Sequence, residues 1–234
     1  VIIKSTFFYF GKLNKSKKMS SDLKAYKVNF VKQKEKVNIE NLDYDFWKKA
    51  DCLTDFCSPW KTGSFSKIEF RARWDLDFLY FNFQVYDSEI YTDRKDNSTD
   101  SICNSDRVEL FFRKDKKLSP YYCLEMDVDT RILDFEAYPY WNFDYNWNWP
   151  KGHLEIFSFK NPNSFTVQGK ISMASLKELN LIQDNTIEAG VYRAKFSKNE
   201  NLEYEPTWIS WINPNTEKPN FHTASSFGKF ILEE

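Results

Sequence analysis

The sequence predicts an all-β protein, an antiparallel β-sandwich with one short helix. Three observations predict it. Apolar and polar residues alternate at period two in run after run, as expected of strands with one buried face. The runs are separated by polar or proline-containing turn segments at roughly even spacing. Helical spacing of apolar residues is convincing in one place only. Many short strands with regular turns point to two packed sheets of immunoglobulin-like or jelly-roll-like type.

The elements follow in order. In Ile68–Asp75, Ile68, Phe70, Ala72 and Trp74 share one face, and Glu69, Arg71, Arg73 and Asp75 the other. A turn at Asp75–Asp77 leads to Leu79, Phe81, Phe83 and Val85, which alternate with Tyr80, Asn82, Gln84 and Tyr86, so the two runs read as a hairpin. Residues 87–105 are polar and irregular and read as a loop. Arg107–Phe112 is a strand with Val108, Leu110 and Phe112 on one face. Tyr121–Val128 and Thr130–Tyr138 form the next pair. Leu154–Phe159 and Ser164–Ile171 follow, joined by Asn161-Pro162-Asn163. The helix is expected near Ala174–Leu181, with Ser175 and Glu178 at capping-box spacing. Thr186–Phe196 and Phe227–Leu232 complete the set.

A chain of 234 residues suits one large β-domain with a sizeable core. The 33 basic and 34 acidic residues leave a net charge of −1, which gives no electrostatic case for nucleic acid or an anionic membrane. No apolar run approaches a membrane span. Six glycines and two histidines offer little for phosphate-cradling loops or for metal and acid–base chemistry. Cys52, Cys57, Cys103 and Cys123 contain no C-x-x-C pair. They read as reduced, buried thiols, with a Cys52–Cys57 disulfide the alternative for an exported protein. Residues 1–18 lack the polarity of a secretory signal. Met19 reads as the start, residues 1–18 as an upstream extension and 19–234 as a single domain, which would leave a cytoplasmic protein.

The aromatic fraction, 18%, is the distinctive number. It concentrates in Phe135–Trp149, where eight of fifteen residues are aromatic and Asn142, Asp144, Asn146 and Asn148 are interleaved. A buried strand would leave so many amides in need of partners. A loop that projects rings and amides together suits sugar, whose C–H faces stack on rings while its hydroxyls take hydrogen bonds. The alternative is a lid folded over the core edge. Asp106 and Glu109, at the Arg107–Phe112 strand, are candidate acceptors for sugar hydroxyls, against the plainer reading of Glu109 as an ion-pair partner on the sheet. Trp208, Trp211, Phe221 and His222 flank a proline-containing loop and either rim a site or close the sandwich. Glu125 and Asp127 share a strand face and could serve glycoside hydrolysis. Asp87, Asp93, Asp96 and Asp100 offer oxygen ligands for a structural Ca²⁺, against the reading of a solvated acidic loop.

With these residues in place, the chain resembles the carbohydrate-binding module family 9-like proteins of the DOMON-like sandwich group. The resemblance runs from about Val37 to Leu232 and rests on the order of several motifs: the opening Val37–Trp47, RARWDLDFLYFNFQVYD (71–87), SDRVELFF (105–112), YYCLEMDV (121–128), GVYRAKF (190–196) and PNFHTASSFGKFIL (219–232). It implies a sandwich that binds poly- or oligosaccharide, structural calcium in some members, and association with a glycoside hydrolase in carbohydrate catabolism. The family's motif glutamate falls on Glu109, and the match brings Asp106. Sugar-binding members hold the ligand between two aromatic residues. At the first of those positions this chain has Cys103, and near the second it offers Phe221. Replacement rings are expected from Trp141, Trp147 and Trp149, the alternative being that sugar binding has been lost.

The expected function is therefore non-catalytic carbohydrate binding. Trp141, Trp147 and Trp149 would stack. Glu109, Asp106 and Arg193 would hydrogen-bond, with Trp211, Phe221 and His222 at the rim. Three alternatives differ in class. One is a glycan-active enzyme using Glu109, Glu125 and Asp127. Another is a DOMON-type haem domain with Met126 and His153 or His222 as axial ligands. The last is a protein-interaction module docking through Trp141–Trp149.

Overall fold

A computed structural model describes residues 23–32 and 37–234, so the extension expected at 1–18 lies outside the described residues. Among the described residues thirteen strands form one curled sheet. They are β1 (Ala25–Phe30), β2 (Ile68–Trp74), β3 (Phe78–Val85), β4 (Arg107–Arg113), β5 (Tyr121–Asp127), β6 (Ile132–Tyr138), β7 (Asn142–Asp144), β8 (Leu154–Asn161), β9 (Ser164–Ser172), β10 (Ile182–Gln183), β11 (Thr186–Lys198), β12 (Tyr204–Ser210) and β13 (Gly228–Glu233). Helices α1 (Tyr44–Trp47), α2 (Thr99–Cys103) and α3 (Met173–Glu178) are short.

One layer runs β7-β6-β5-β4-β11 and the other β13-β1-β2-β3-β9-β8. The 13-residue β11 is the corner. Its first residues, Thr186–Ala189, pair with β13, while Tyr192–Lys198 pair with β12 on the same edge. Pairing is antiparallel except at β1, which lies parallel to both β13 and β2.

The alternating faces read from sequence form the interior. Ile68, Phe70, Ala72 and Trp74 of β2 pack with Leu79, Phe81, Phe83 and Val85 of β3 against Val108, Leu110 and Phe112 of β4. Each fully buried Phe or Leu there contributes on the order of 1.5–3 kcal/mol. A second apolar cluster covers the opposite face of β4–β6 and β11: Phe111, Tyr121, Cys123, Phe135 and Tyr192, closed by Phe221 and Phe227. This sheet is thus covered on both sides, and its outer cover holds the site.

Several expectations are corrected. The loop at 87–105 contains α2, capped by Ser98, whose side chain accepts from Ser101 N. The cap of α3 is Ser172, which accepts from Ser175 N, rather than Ser175. All four cysteines are free, and only Cys123 is buried; Cys52 is exposed. No helix among the described residues is long and apolar enough to cross a membrane.

Candidate functional site

Strand alternation builds the site. Val108 and Leu110 enter the core, so Arg107 and Glu109 stand on the outer face of β4. Register places Glu125 of β5 directly opposite Glu109, and Tyr192 of β11 on its other side. One strand further, Trp208 pairs with Ala194, which pairs with Arg107, so Trp208 shares this face. The Pro219–His222 loop and the β6–β7 hairpin complete the walls. The result is a pocket of about 120 Å³ lined by Arg107, Glu109, Glu125, Trp141, Trp208 and the 219–222 loop.

The floor is ionic. Arg107 Nε lies 3.0 Å from Glu109 Oε1 and 2.6 Å from Glu125 Oε2. Arg107 Nε, Glu109 Oε1 and Glu125 Oε2 are screened from solvent and have no hydrogen-bond partner outside this triad. Arg107 Nη1 donates instead to the carbonyls of Cys103 (2.6 Å) and Ser105 (3.5 Å). Burial and the charge of Glu125 push Glu109 up to about 8, although Arg107 opposes them. Burial works against the charge of Arg107, yet the two carboxylates more than reverse this and hold it above its ordinary value.

The walls are aromatic. The Arg107 guanidinium sits 5.6 Å from the Trp208 ring centre, a cation–π contact. Phe221 stacks on Tyr192 at 4.2 Å and meets Trp208 edge-on at 5.7 Å. His222 is 5.1 Å from Trp141 and 4.7 Å from Phe143. Its Nδ1 and the Tyr121 hydroxyl share a 2.8 Å hydrogen bond. Burial, then the nearby Arg107, push His222 down to about 3, so it is neutral at physiological pH. Trp141 is 59% exposed at the hairpin tip. It and Tyr140 hold φ of 60° and 65°, left-handed backbone that costs about 1–2 kcal/mol per residue.

The site residues expected from sequence divide into three groups. Trp141, Glu109, Phe221 and His222 come together in the pocket. Trp147 and Trp149 do not join them. Trp149 is buried in the main core and donates its indole N–H to Ser175 Oγ, and Trp147 packs on Tyr122. The amides nearby pin the chain: Asn148 donates to Asp134 and Asn146 to Asp144. Trp211 lies in the core against Phe230.

Asp106 and Arg193 are also placed elsewhere. Arg193 pairs in register with the core residue Val108, so it points into the sandwich. There it binds Asp87, and Asp106 accepts from Phe196 N. The aspartates considered for calcium do not converge. Asp87 pairs with Arg193 and Lys195, Asp93 with Lys95, and Asp96 accepts from Ser98 N. Among the described residues no three His, Cys, Asp or Glu side chains gather as a metal site. These residues do not fit the ion. Asp127, the other half of the carboxylate pair considered for hydrolysis, is held by Arg131 at 2.6 Å. Met126 faces the core while His222 lies on the opposite face of β5, so the two cannot flank one haem.

Arg107 and Trp208 are site residues that the sequence reading did not select, and Glu125 it considered only for catalysis. The period-two pattern carries the signal, because Arg107 and Glu109 are two apart on a strand.

Fold and pocket define a binding domain: a two-layer sandwich whose outer sheet face carries an aromatic-walled, carboxylate-floored cleft. Residues 41–234 match the sequence model of the family described as Carbohydrate family 9 binding domain-like, and the chain belongs to that family. Among solved structures the fold is similar to a family 9 carbohydrate-binding module from Caldicellulosiruptor kristjanssonii in complex with glucose. That match has 16% identity and a TM-score of 0.59, covering 90% of this chain and 96% of that one. A family 9 carbohydrate-binding module from the same organism in complex with cellotriose matches at 16% identity and TM-score 0.59, over 90% and 94% of the two chains. A candidate carbohydrate-binding protein from Bacteroides uniformis ATCC 8492 matches at 16% identity and TM-score 0.70, over 91% and 100%. Among curated proteins none matches the chain.

Proposed function

We propose that this chain binds saccharide, without turning it over, in the pocket between Trp141 and Trp208. One observation carries the reading: an exposed indole, held at a backbone cost, lines one pocket with two carboxylates that share a single guanidinium. Rings supply stacking, and the Glu109 and Glu125 carboxylates accept hydrogen bonds from hydroxyls. The pocket is smaller than the ~300–1,000 Å³ of drug-sized ligand sites. It takes one sugar ring of a longer chain. Family membership supports the class of ligand, and the glucose and cellotriose in the C. kristjanssonii complexes make neutral glucosides the first probes. A glycoside hydrolase acting on the same polysaccharide is the partner this reading implies.

Calorimetry with glucose and cellotriose tests it. Weak binding is expected, on the order of micromolar to millimolar Kd, with a change in tryptophan fluorescence. Trp141→Gly should weaken it at least about tenfold, the loss of one ring contact. Stability should move little, because relief of the left-handed backbone offsets lost contacts to Phe143 and His222. Equal affinity in parent and variant would remove Trp141 from the site. No binding of any glycan across a broad array would end the saccharide reading.

A further inference from the structure

We infer that the pocket prefers a saccharide bearing a protonated amine, a hexosamine unit, over its neutral counterpart; this rests on the saccharide reading and narrows it.

The charges lining the cleft do not balance. Glu109 and Glu125 are cross-strand partners, and one guanidinium, that of Arg107, serves both. Its Nη1 is turned away to the carbonyls of Cys103 and Ser105, so much of its donor capacity is spent on backbone. Glu109 Oε1 and Glu125 Oε2 both turn to its one Nε, and neither has a partner beyond it. No neighbour supplies the second positive charge. His222 is held neutral by burial and by Arg107. Tyr192 on β11 and Cys123 on β5 are pushed up by burial and stay uncharged, and burial, then Glu125, push Cys103 up to about 12. Two carboxylates with one counter-ion leave one of them to hold a proton, consistent with the upward push on Glu109.

A sugar hydroxyl can bond to such a floor, but only a cation can take the place of that proton, which then leaves to solvent. An ammonium group does both, with three donors for the two carboxylates. The walls agree: Trp141, Trp208 and Phe221 present aromatic rings, whose faces attract cations. A uronic acid would bring a third carboxylate and should be rejected.

The test compares β-1,4-linked trimers of glucose, glucosamine and glucuronate by calorimetry on the full chain, at a pH where the amine is protonated. The glucosamine trimer is expected to bind about tenfold tighter than cellotriose, the gain of a charge-assisted over a neutral hydrogen bond, with the glucuronate trimer weakest. In Glu125→Gln, which removes charge and keeps shape, the ratio of amine to neutral affinity should fall towards one. The three-sugar comparison needs no variant, so it stands if Glu125→Gln fails to fold. Amine binding equal to or weaker than cellotriose overturns this inference and leaves the saccharide reading intact. A preference that persists unchanged in Glu125→Gln overturns it too. If none of the three sugars binds, this inference fails, and the broad glycan array alone decides the saccharide reading.

Discussion

Glu109 and His222 face one pocket and are driven in opposite directions by burial. Glu109 is pushed from an ordinary 4.5 to about 8, with Glu125 adding to the push and Arg107 opposing it, and His222 from 6.5 to about 3. Tyr192, Cys123 and Cys103, the other neutral titratable groups near Glu109, stay protonated throughout this range. Between about 4.5 and about 8 the folded chain holds a Glu109 proton that the unfolded chain has lost, so stability falls as pH rises. Between about 3 and about 6.5 the folded chain lacks a His222 proton that the unfolded chain carries, so that contribution is lost as pH falls. Glu109→Gln should therefore flatten the alkaline side. Denaturant unfolding from about pH 5 to about pH 8 should show parent and variant diverging, the parent losing stability; parallel curves would sink the idea. Legibility at this scale was uneven. Trp208 and Trp211 are three apart, so extended chain sends them to opposite faces. The structure places Trp208 in the pocket and Trp211 in the core, while sequence reasoning favoured Trp211 for the site. Trp147 and Trp149 misled for a different reason: their amide neighbours are satisfied, Asn146 by Asp144 two residues away and Asn148 by Asp134 on the facing strand β6, pairings that composition does not reveal.

Among the elements, β11 does most to shape the site, and Gly190 lets it. A Cβ at Gly190 would stand 1.9 Å from the Tyr192 hydroxyl oxygen and 2.3 Å from Cζ of the ring. That hydroxyl donates to Ser226 Oγ at 2.8 Å, and the ring carries Phe221 in its stack. Gly190→Ala should push the phenol aside, break the Ser226 bond and tilt Phe221 out of the pocket wall. Overpacking of this kind costs about 1–3 kcal/mol. A lower Tm together with weaker cellotriose binding is expected; an unchanged Tm with full affinity would show that the ring has room to move. The hairpin β2–β3 and strands β4, β5, β9 and β11 were legible because one apolar face alternates along each. Strand β1 was not. Its place is set by parallel pairing with β13, two hundred residues away in sequence, and with β2. Strand β7 has only three residues and takes its form from the hairpin with β6.

For the molecule as a whole, two layers followed from alternation and even turn spacing, whereas the outer cover that makes the pocket did not. That cover joins α2, the β6–β7 hairpin and the 219–227 loop, segments with no common period. The interior end of the sandwich shows how charge is balanced without an ion. Arg193 is fully buried and binds Asp87, and Lys195 Nζ lies 3.3 Å from Asp87 Oδ2 and 3.2 Å from Asp106 Oδ2. Two side-chain cations thus meet two carboxylates. A divalent ion would have to enter beside the guanidinium and displace the ammonium, which Coulomb repulsion opposes. Chelation should therefore leave Tm unmoved. A site holding calcium at a hundred times its Kd would add about 2.7 kcal/mol, which for a chain this size is about 5–10 °C of Tm, so scanning calorimetry with and without EDTA separates the cases clearly. Lys195→Met, by contrast, should lower Tm in both conditions, since it leaves Asp87 and Asp106 to Arg193 alone; loss of a buried ion partner costs up to about 3–5 kcal/mol. A fall of several degrees on adding EDTA to the parent chain would place an ion among these aspartates and overturn the internal pairing as the source of balance.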